Sequence, residues 1–179
     1  VIELGVQMAQ GLRAAHGAGI IHRDLKPANV MVLDSDSEHP FAQLLDFGIG
    51  KLAESNVEEQ NLPDDPLARD FQQGLTRAGK FAGTPAYMSP EQCVGDPLDV
   101  RTDVYSMGCL LYEMRYTHTP WVLDEDGQVD NSLSENAIAK IVSDDSIPLK
   151  YPPSGKQPSS RLDSLLNGLL TRMPLARLG

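Results

Sequence analysis

Val104, Met107, Gly108, Leu111 and Met114 mark a helix that is apolar around much of its circumference. Such a helix has no broad face to give to water, so it reads as a central, buried element with the rest of the chain packed around it. Two more stripes supply neighbours at helical spacing. Leu4, Met8, Leu12 and Ala15 form the first, with Gly17 and Gly19 as its C-terminal stop. Leu162, Leu165, Leu166, Leu169, Leu170 and Met173 form the second, at i, i+3, i+4, i+7, i+8 and i+11. Ser132-Leu133-Ser134-Glu135 has capping-box spacing ahead of Ala137, Ile138, Ile141 and Val142, which predicts a short amphipathic helix. Between the first stripe and the central helix, Val30-Met31-Val32-Leu33 and Gln43-Leu44-Leu45 read as two short strands separated by a polar stretch. The loop from Ile21 to Val30 and the turn after Leu45 are therefore expected to lie close in space.

The 179 residues are 41% hydrophobic and 22% charged, which fits one globular domain and excludes a disordered chain. A formal net charge of -10 argues against non-specific nucleic-acid binding and against binding to anionic membranes, because both need an excess of Lys and Arg. Its longest apolar run, around Met107 to Leu111, is far too short for a membrane span. Cys93 and Cys109 are the only cysteines and read as small buried hydrophobes, so a reducing, cytoplasmic setting is expected. Glu54 to Asp70 carries six acidic residues against Arg69 alone, with Pro63 and Pro66, and reads as a mobile solvated loop. There is no signal-peptide pattern, and the sequence opens without Met inside a periodic segment, so an upstream portion is expected.

Two glycine patterns imitate nucleotide-binding fingerprints. Gly48-Ile49-Gly50-Lys51-Leu52-Ala53 has the G-x-G-x-x-A spacing but runs into acidic, Pro-containing sequence instead of the helix that a pyrophosphate site requires. Gly74 to Lys80 reads G-x-x-x-x-G-K, yet Phe81 stands where Ser or Thr would hold magnesium. Both read as coincidence. His22-Arg23-Asp24-Leu25-Lys26-Pro27-Ala28-Asn29 differs in kind, because it matches H-R-D-L-x-x-x-N at every fixed position. Asp46-Phe47-Gly48 follows the second strand, and Gly83-Thr84-Pro85-Ala86-Tyr87-Met88 leads into Ser89-Pro90-Glu91. These motifs, in this order, resemble the protein kinase superfamily along all 179 residues.

The resemblance implies a kinase-like α+β fold, specifically a mainly helical C-terminal lobe with a short antiparallel strand pair near the catalytic loop. Residues 1–179 would be a partial kinase domain whose activation segment, 46–91, contains the acidic insert 54–70. The function it implies is transfer of the ATP γ-phosphate to Ser/Thr hydroxyls of protein substrates with Mg²⁺ as cofactor, a reaction catalysed by positioning and charge neutralisation. Asp24 would orient the acceptor hydroxyl. Lys26, two residues along an extended loop, points to the same side and can reach the γ-phosphate, while Asn29 and Asp46 supply hard oxygen ligands for Mg²⁺. Gly48 would let the backbone turn behind Asp46.

By the same resemblance His22 packs against Phe47, and Met31 together with Leu110 and Met114 of the central helix stacks beneath the adenine. Asp103 would hydrogen-bond the catalytic-loop backbone, and Glu91 and Arg177 would form a buried ion pair. Asp24-Leu25-Lys26-Pro27 and residues 83–91 have the serine/threonine form, with Thr84 contacting Asp24 and Lys26. Arg23 would pair with an activation-segment phosphate; Lys80 occupies a common phosphosite, which leaves Thr76 or an acidic residue as substitute.

The pattern also departs from the family. No Gly-rich loop, V-A-I-K lysine or paired glutamate is present, so the ATP-covering lobe is expected in a longer parent chain and the isolated 179 residues are expected to be inactive. Met173-Pro174 stands for Asp-Pro, the Gly that usually follows the central helix is replaced in Arg115-Tyr116-Thr117-His118, and Gly179 falls short of the family's last helix. A non-catalytic kinase-like scaffold and a small-molecule phosphotransferase are the competing readings. Intact Asp24, Asn29 and Asp46 weigh against the first, and the peptide-docking form of residues 83–91 weighs against the second.

Overall fold

The computed structural model describes residues 1–47, 84–152 and 160–177. Helix α1, Ile2–Gly17, buries Met8 and Leu12 from the expected stripe. Its stop is Gly19, not Gly17. With φ at +76°, Gly19 lets its own N–H reach the His16 carbonyl and the Ile20 N–H reach the Ala15 carbonyl, both at 2.9 Å. This is the Schellman arrangement, in which a glycine adopts the left-handed conformation at no side-chain cost.

A loop then leads through a 3₁₀ turn, Pro27–Asn29, into strand β1, Val30–Leu33, which pairs antiparallel with β2, Phe41–Leu44. Val30 faces Leu44 and Leu33 faces Phe41 in the register. The second strand starts earlier than the Gln43-Leu44-Leu45 expectation because α1 supplies partners for its outer edge. Gln7 Oε1 accepts from Ala42 N–H at 2.7 Å, and its Nε2 donates to the Pro40 carbonyl at 3.0 Å. Backbone groups on the outer side of β2 are thereby satisfied by a side chain.

After a 3₁₀ turn, Pro85–Tyr87, comes the short helix α2, Pro90–Val94. The central helix α3, Val100–Tyr116, follows, then α4, Glu135–Ser143, then α5, Ser160–Leu169, and a last 3₁₀ turn, Pro174–Ala176. Tyr105, Cys109 and Tyr112 of α3 are fully buried, and α1, α5 and the Pro85–Tyr87 turn all pack on this helix. The central position expected from its periodicity is therefore where it sits. The described residues are mainly helical, with one short antiparallel pair among them, as expected of a kinase-like fold.

Two expectations need correction, and one departure from the family pattern finds its explanation. Helix α4 is capped by Ser134, whose side chain accepts from Ala137 N–H, whereas Ser132 bonds back to Asp130 and makes no capping box. Helix α5 ends at Leu169, so the apolar stripe does not extend to Met173, which is 63% exposed. Pro174 cannot continue a helix and disfavours it in the residue before. Arg172 then turns back across α4, donating to the Val142 carbonyl at 2.8 Å and the Ile141 carbonyl at 2.9 Å and also bonding Ile147, with its guanidinium 4.4 Å from the Trp121 ring. Thr117 replaces the usual Gly by taking the left-handed conformation itself, φ +68°, with its N–H on the Glu113 carbonyl at 2.7 Å.

Close approach governs the α3–α5 contact. A Cβ on Gly108 would lie 3.0 Å from Leu169 Cβ and from Leu170 Cδ2. Gly108→Ala is therefore expected to destabilise the protein by about 1–3 kcal/mol. Thr117→Gly, which relieves a β-branched residue at positive φ, should instead add about 1 kcal/mol. Thermal melts of the two variants should move in opposite directions.

Candidate active site

The segment from His22 to Asn29 lies over the N-terminal end of α3, and alternation along Asp24-Leu25-Lys26 sorts the side chains. Leu25 is buried in the core, while Asp24 and Lys26 project to the other side. Lys26 Nζ donates to Asp24 Oδ2 at 2.9 Å, and Asn29 Nδ2 reaches the same oxygen at 3.2 Å and the Asp24 carbonyl at 2.7 Å. With its amide nitrogen committed to Asp24, Asn29 keeps its amide oxygen as an acceptor that a cation can use.

The backbone of this loop is held by one buried carboxylate. Asp103, in the first turn of α3, accepts from His22 N–H through Oδ2 and from Arg23 N–H through Oδ1, each at 2.8 Å. His16 Nε2 donates to Oδ2 as well, at 2.7 Å. Arg23 sits at φ +65° between these contacts, a strained conformation for a residue with a side chain.

His22 is fully buried. Its Nε2 lies 2.9 Å from the Leu45 carbonyl and must carry the proton, because a carbonyl only accepts; Nδ1 is then the acceptor for Asp24 N–H at 3.4 Å. The ring also packs against Phe47, centroids 4.8 Å apart. Leu45 N–H donates to the Asn29 carbonyl at 2.9 Å, so Asp46 is bracketed by two residues tied to the loop. Asp46 itself is exposed, at φ +50°. Gly48, like the insert 54–70, Thr76, Lys80 and both glycine patterns, lies outside the described residues.

Thr84 lines one small cleft together with Asp24, Lys26 and Gln92. The segment that carries it is tied to α3: Tyr87 OH donates to Glu113 Oε2 at 2.7 Å, and Ser106 Oγ donates to the Tyr87 carbonyl at 2.8 Å. Burial, reinforced by the Glu113 carboxylate, holds the Tyr87 phenol well above its ordinary range. Met31 is 44% exposed on β1, whereas Leu110 is buried in the core and Met114 packs against that core.

Glu91 and Arg177 are both 5% exposed and meet in a two-pronged pair, Nη1 to Oε1 at 2.7 Å and Nη2 to Oε2 at 3.1 Å. Thr102 Oγ1 also donates to Oε1, at 3.0 Å. The remaining guanidinium protons go to the carbonyls of Thr171, Arg101 and Arg172. Burial pushes the Glu91 carboxyl up, but the hydrogen bonds and charge of Arg177, with its own N–H and Ser89, outweigh this and hold it below its ordinary value.

Two residues at the site were not singled out by the motifs. His16 needed the fold to meet Asp103, eighty-seven positions away. Gln92 had a local signal: Ser89-Pro90-Glu91-Gln92 is the S-x-x-Q capping box, and both of its reciprocal bonds form.

The protein kinase domain model matches residues 2–179. The chain belongs to this family. It is 37% identical over 173 residues to the serine/threonine-protein kinase pkn3 of Myxococcus xanthus, covering 96% of this chain and 27% of the relative. It is 41% identical over 134 residues to pkn2 of the same organism, covering 74% and 14%, and 44% identical over 112 residues to PkaA of Streptomyces coelicolor, covering 62% and 17%. This kinase chain thus spans about a quarter or less of the length of these curated relatives.

Because the folded Glu91 carboxyl ionises below its ordinary value near 4.5, its pair with Arg177 contributes fully above that pH. That stability is lost as pH falls through the folded value. Glu91→Gln leaves a buried guanidinium without its counter-charge and should cost about 3–5 kcal/mol at pH 7. In denaturant titrations the gap between wild type and this variant should stay constant down to about pH 5 and narrow below it.

Proposed function

We propose that the protein carrying this chain transfers the γ-phosphate of ATP to serine and threonine hydroxyls of protein substrates. The observation that carries the reading is the Asp24 carboxylate, held by Lys26 Nζ and Asn29 Nδ2 on a loop whose backbone is clamped by Asp103. A carboxylate fixed in this way can accept a hydrogen bond from an acceptor hydroxyl, align its oxygen with the γ-phosphorus and take up its proton as the new O–P bond forms and the bond from that phosphorus to the bridging oxygen of ADP breaks, releasing ADP. Lys26, whose ammonium already lies against Asp24, is within reach of a phosphate brought to that carboxylate and offsets its negative charge. Thr84, across the cleft, borders the space for the acceptor residue. Met31 offers exposed apolar surface on which an adenine can rest.

The donor set fits Mg²⁺, because the Asn29 amide oxygen and the Asp46 carboxylate are hard oxygen ligands. Among the described residues no three His, Cys, Asp or Glu side chains gather into a cage, which agrees with a cation that shares its coordination with substrate phosphates. When bound, Mg²⁺ neutralises charge on the phosphate oxygens. Arg23, Phe47, Glu91, Asp103 and Arg177 act on this arrangement by holding the backbone. The buried free thiols Cys93 and Cys109, pushed up from their ordinary ionisation by burial, support a reducing, cytoplasmic setting for this part of the protein.

The test is ATP-dependent phosphorylation of a protein substrate by the full-length protein with Mg²⁺, followed by phosphoamino-acid analysis. Label is expected on Ser and Thr and not on Tyr. Asp24→Asn should lower kcat by about 10²–10⁴-fold with an unchanged melting curve. Transfer that survives this substitution would overturn the assignment of Asp24.

A further inference from the structure

The strained peptide unit that leads into Asp24 is gripped at both ends. Its N–H, from Asp24, meets His22 Nδ1 at 3.4 Å, and its carbonyl, from Arg23, accepts from Gln92 Nε2 at 2.7 Å. A peptide plane is rigid, so holding its oxygen and its N–H together fixes the plane's rotation. That rotation sets the direction in which the chain leaves the left-handed Arg23 and enters Asp24. The shorter of the two bonds comes from α2, sixty-nine residues away.

The same side chain has a second task. Gln92 Oε1 accepts from Ser89 N–H at 3.0 Å, and Gln92 N–H donates to Ser89 Oγ at 3.4 Å, which closes the α2 capping box. A primary amide carries a donor and an acceptor on one planar group, and here each end is used. Glu is equally suited to the capping box but has no N–H to offer Arg23. One amide therefore joins the Arg23 carbonyl to the start of α2. The Thr84–Ser89 segment, which faces Asp24 across the cleft, enters α2 at that point.

Resting on the kinase reading, we propose that Gln92 is a positioning residue for phosphoryl transfer: it holds the Arg23 carbonyl and so keeps the Asp24 carboxylate in register with the segment that presents the acceptor. The contact is an adjustment of direction and leaves ATP and substrate untouched. Its loss should therefore act on kcat, since a displacement of about 1 Å at the reacting groups can lower the rate about a hundredfold.

Two substitutions in the full-length protein separate the tasks. Q92E keeps the acceptor for Ser89 N–H and loses the donor to Arg23; Q92M loses both. Q92E is expected to lower kcat about ten- to a hundredfold, with KM for ATP and for protein substrate within about twofold and a melting temperature near wild type. Q92M should show a similar kcat loss together with a lower melting temperature. Hydrogen exchange of peptides covering residues 20–30 should speed up in both variants, whether or not the protein is active. Wild-type kcat and exchange in Q92E, or a kcat loss confined to Q92M, would overturn the proposal. A wild-type protein with no Asp24-dependent transfer overturns the kinase reading and the catalytic consequence with it. The exchange data then judge the grip on the loop by themselves.

Discussion

The structure depends on a single buried carboxylate. Asp103 is fully excluded from water, and a charge in that position is sustainable only if the protein replaces its hydration shell. Two backbone N–H groups and the His16 ring do so, at 2.7–2.8 Å, and the N-terminal end of α3 adds a favourable dipole. The exchange works in both directions. What solvates Asp103 is the backbone of His22 and Arg23, so the carboxylate determines where the loop lies, and Arg23 is kept at a positive φ it would not adopt alone. His22, fixed in turn, reaches the Leu45 carbonyl and the Phe47 ring and carries the order on to Asp46.

Asp103 belongs to a polar face at one end of an otherwise apolar helix. Thr102, Asp103 and Ser106 are buried on α3, and each is committed to a different distant segment: Thr102 to Glu91, Asp103 to the loop, Ser106 to the Tyr87 carbonyl. The next turn is apolar, with Cys109, Leu110 and Leu111 in the core and Gly108 admitting α5. One helix therefore both anchors the hydrophobic core and orients the polar segments of the site. The Glu91–Arg177 pair closes the arrangement from the far end of the described chain, with the guanidinium hydrogen bonds directed at Glu91 and at carbonyls and its face over the Tyr105 ring.

Much of this was legible in the residues. The strand pair, the central helix and the catalytic-loop motif all follow from local pattern, because side-chain period and turn chemistry are local properties. Boundaries were less so. Helix α5 stops before Met173 because Pro174 and the returning Arg172 override a continuing apolar stripe, and β2 is extended by Gln7, a side chain from another element. Thr117 shows the converse case, in which backbone geometry imposes positive φ on a residue that does not favour it.

By itself the sequence determined the chemistry on offer: a carboxylate, a lysine and an amide at fixed spacing on an extended loop, and a second carboxylate after a second strand. Spacing suffices there because Asp24, Lys26 and Asn29 are near neighbours: Asp24 and Lys26 lie on one side of a short extended run, and the Pro27–Asn29 turn brings Asn29 back onto Asp24. What holds them belongs to the tertiary structure: the Asp103 anchor was expected only through the family resemblance, and its His16 partner and the Gln92 contact were not expected at all. Asp103 meets His16 and His22 across more than eighty residues, and Gln92 meets the Arg23 carbonyl across sixty-nine. The Asp103 contacts exist because packing α1 against α3 leaves polar groups in the interior, where each must find its partner within the protein instead of in water.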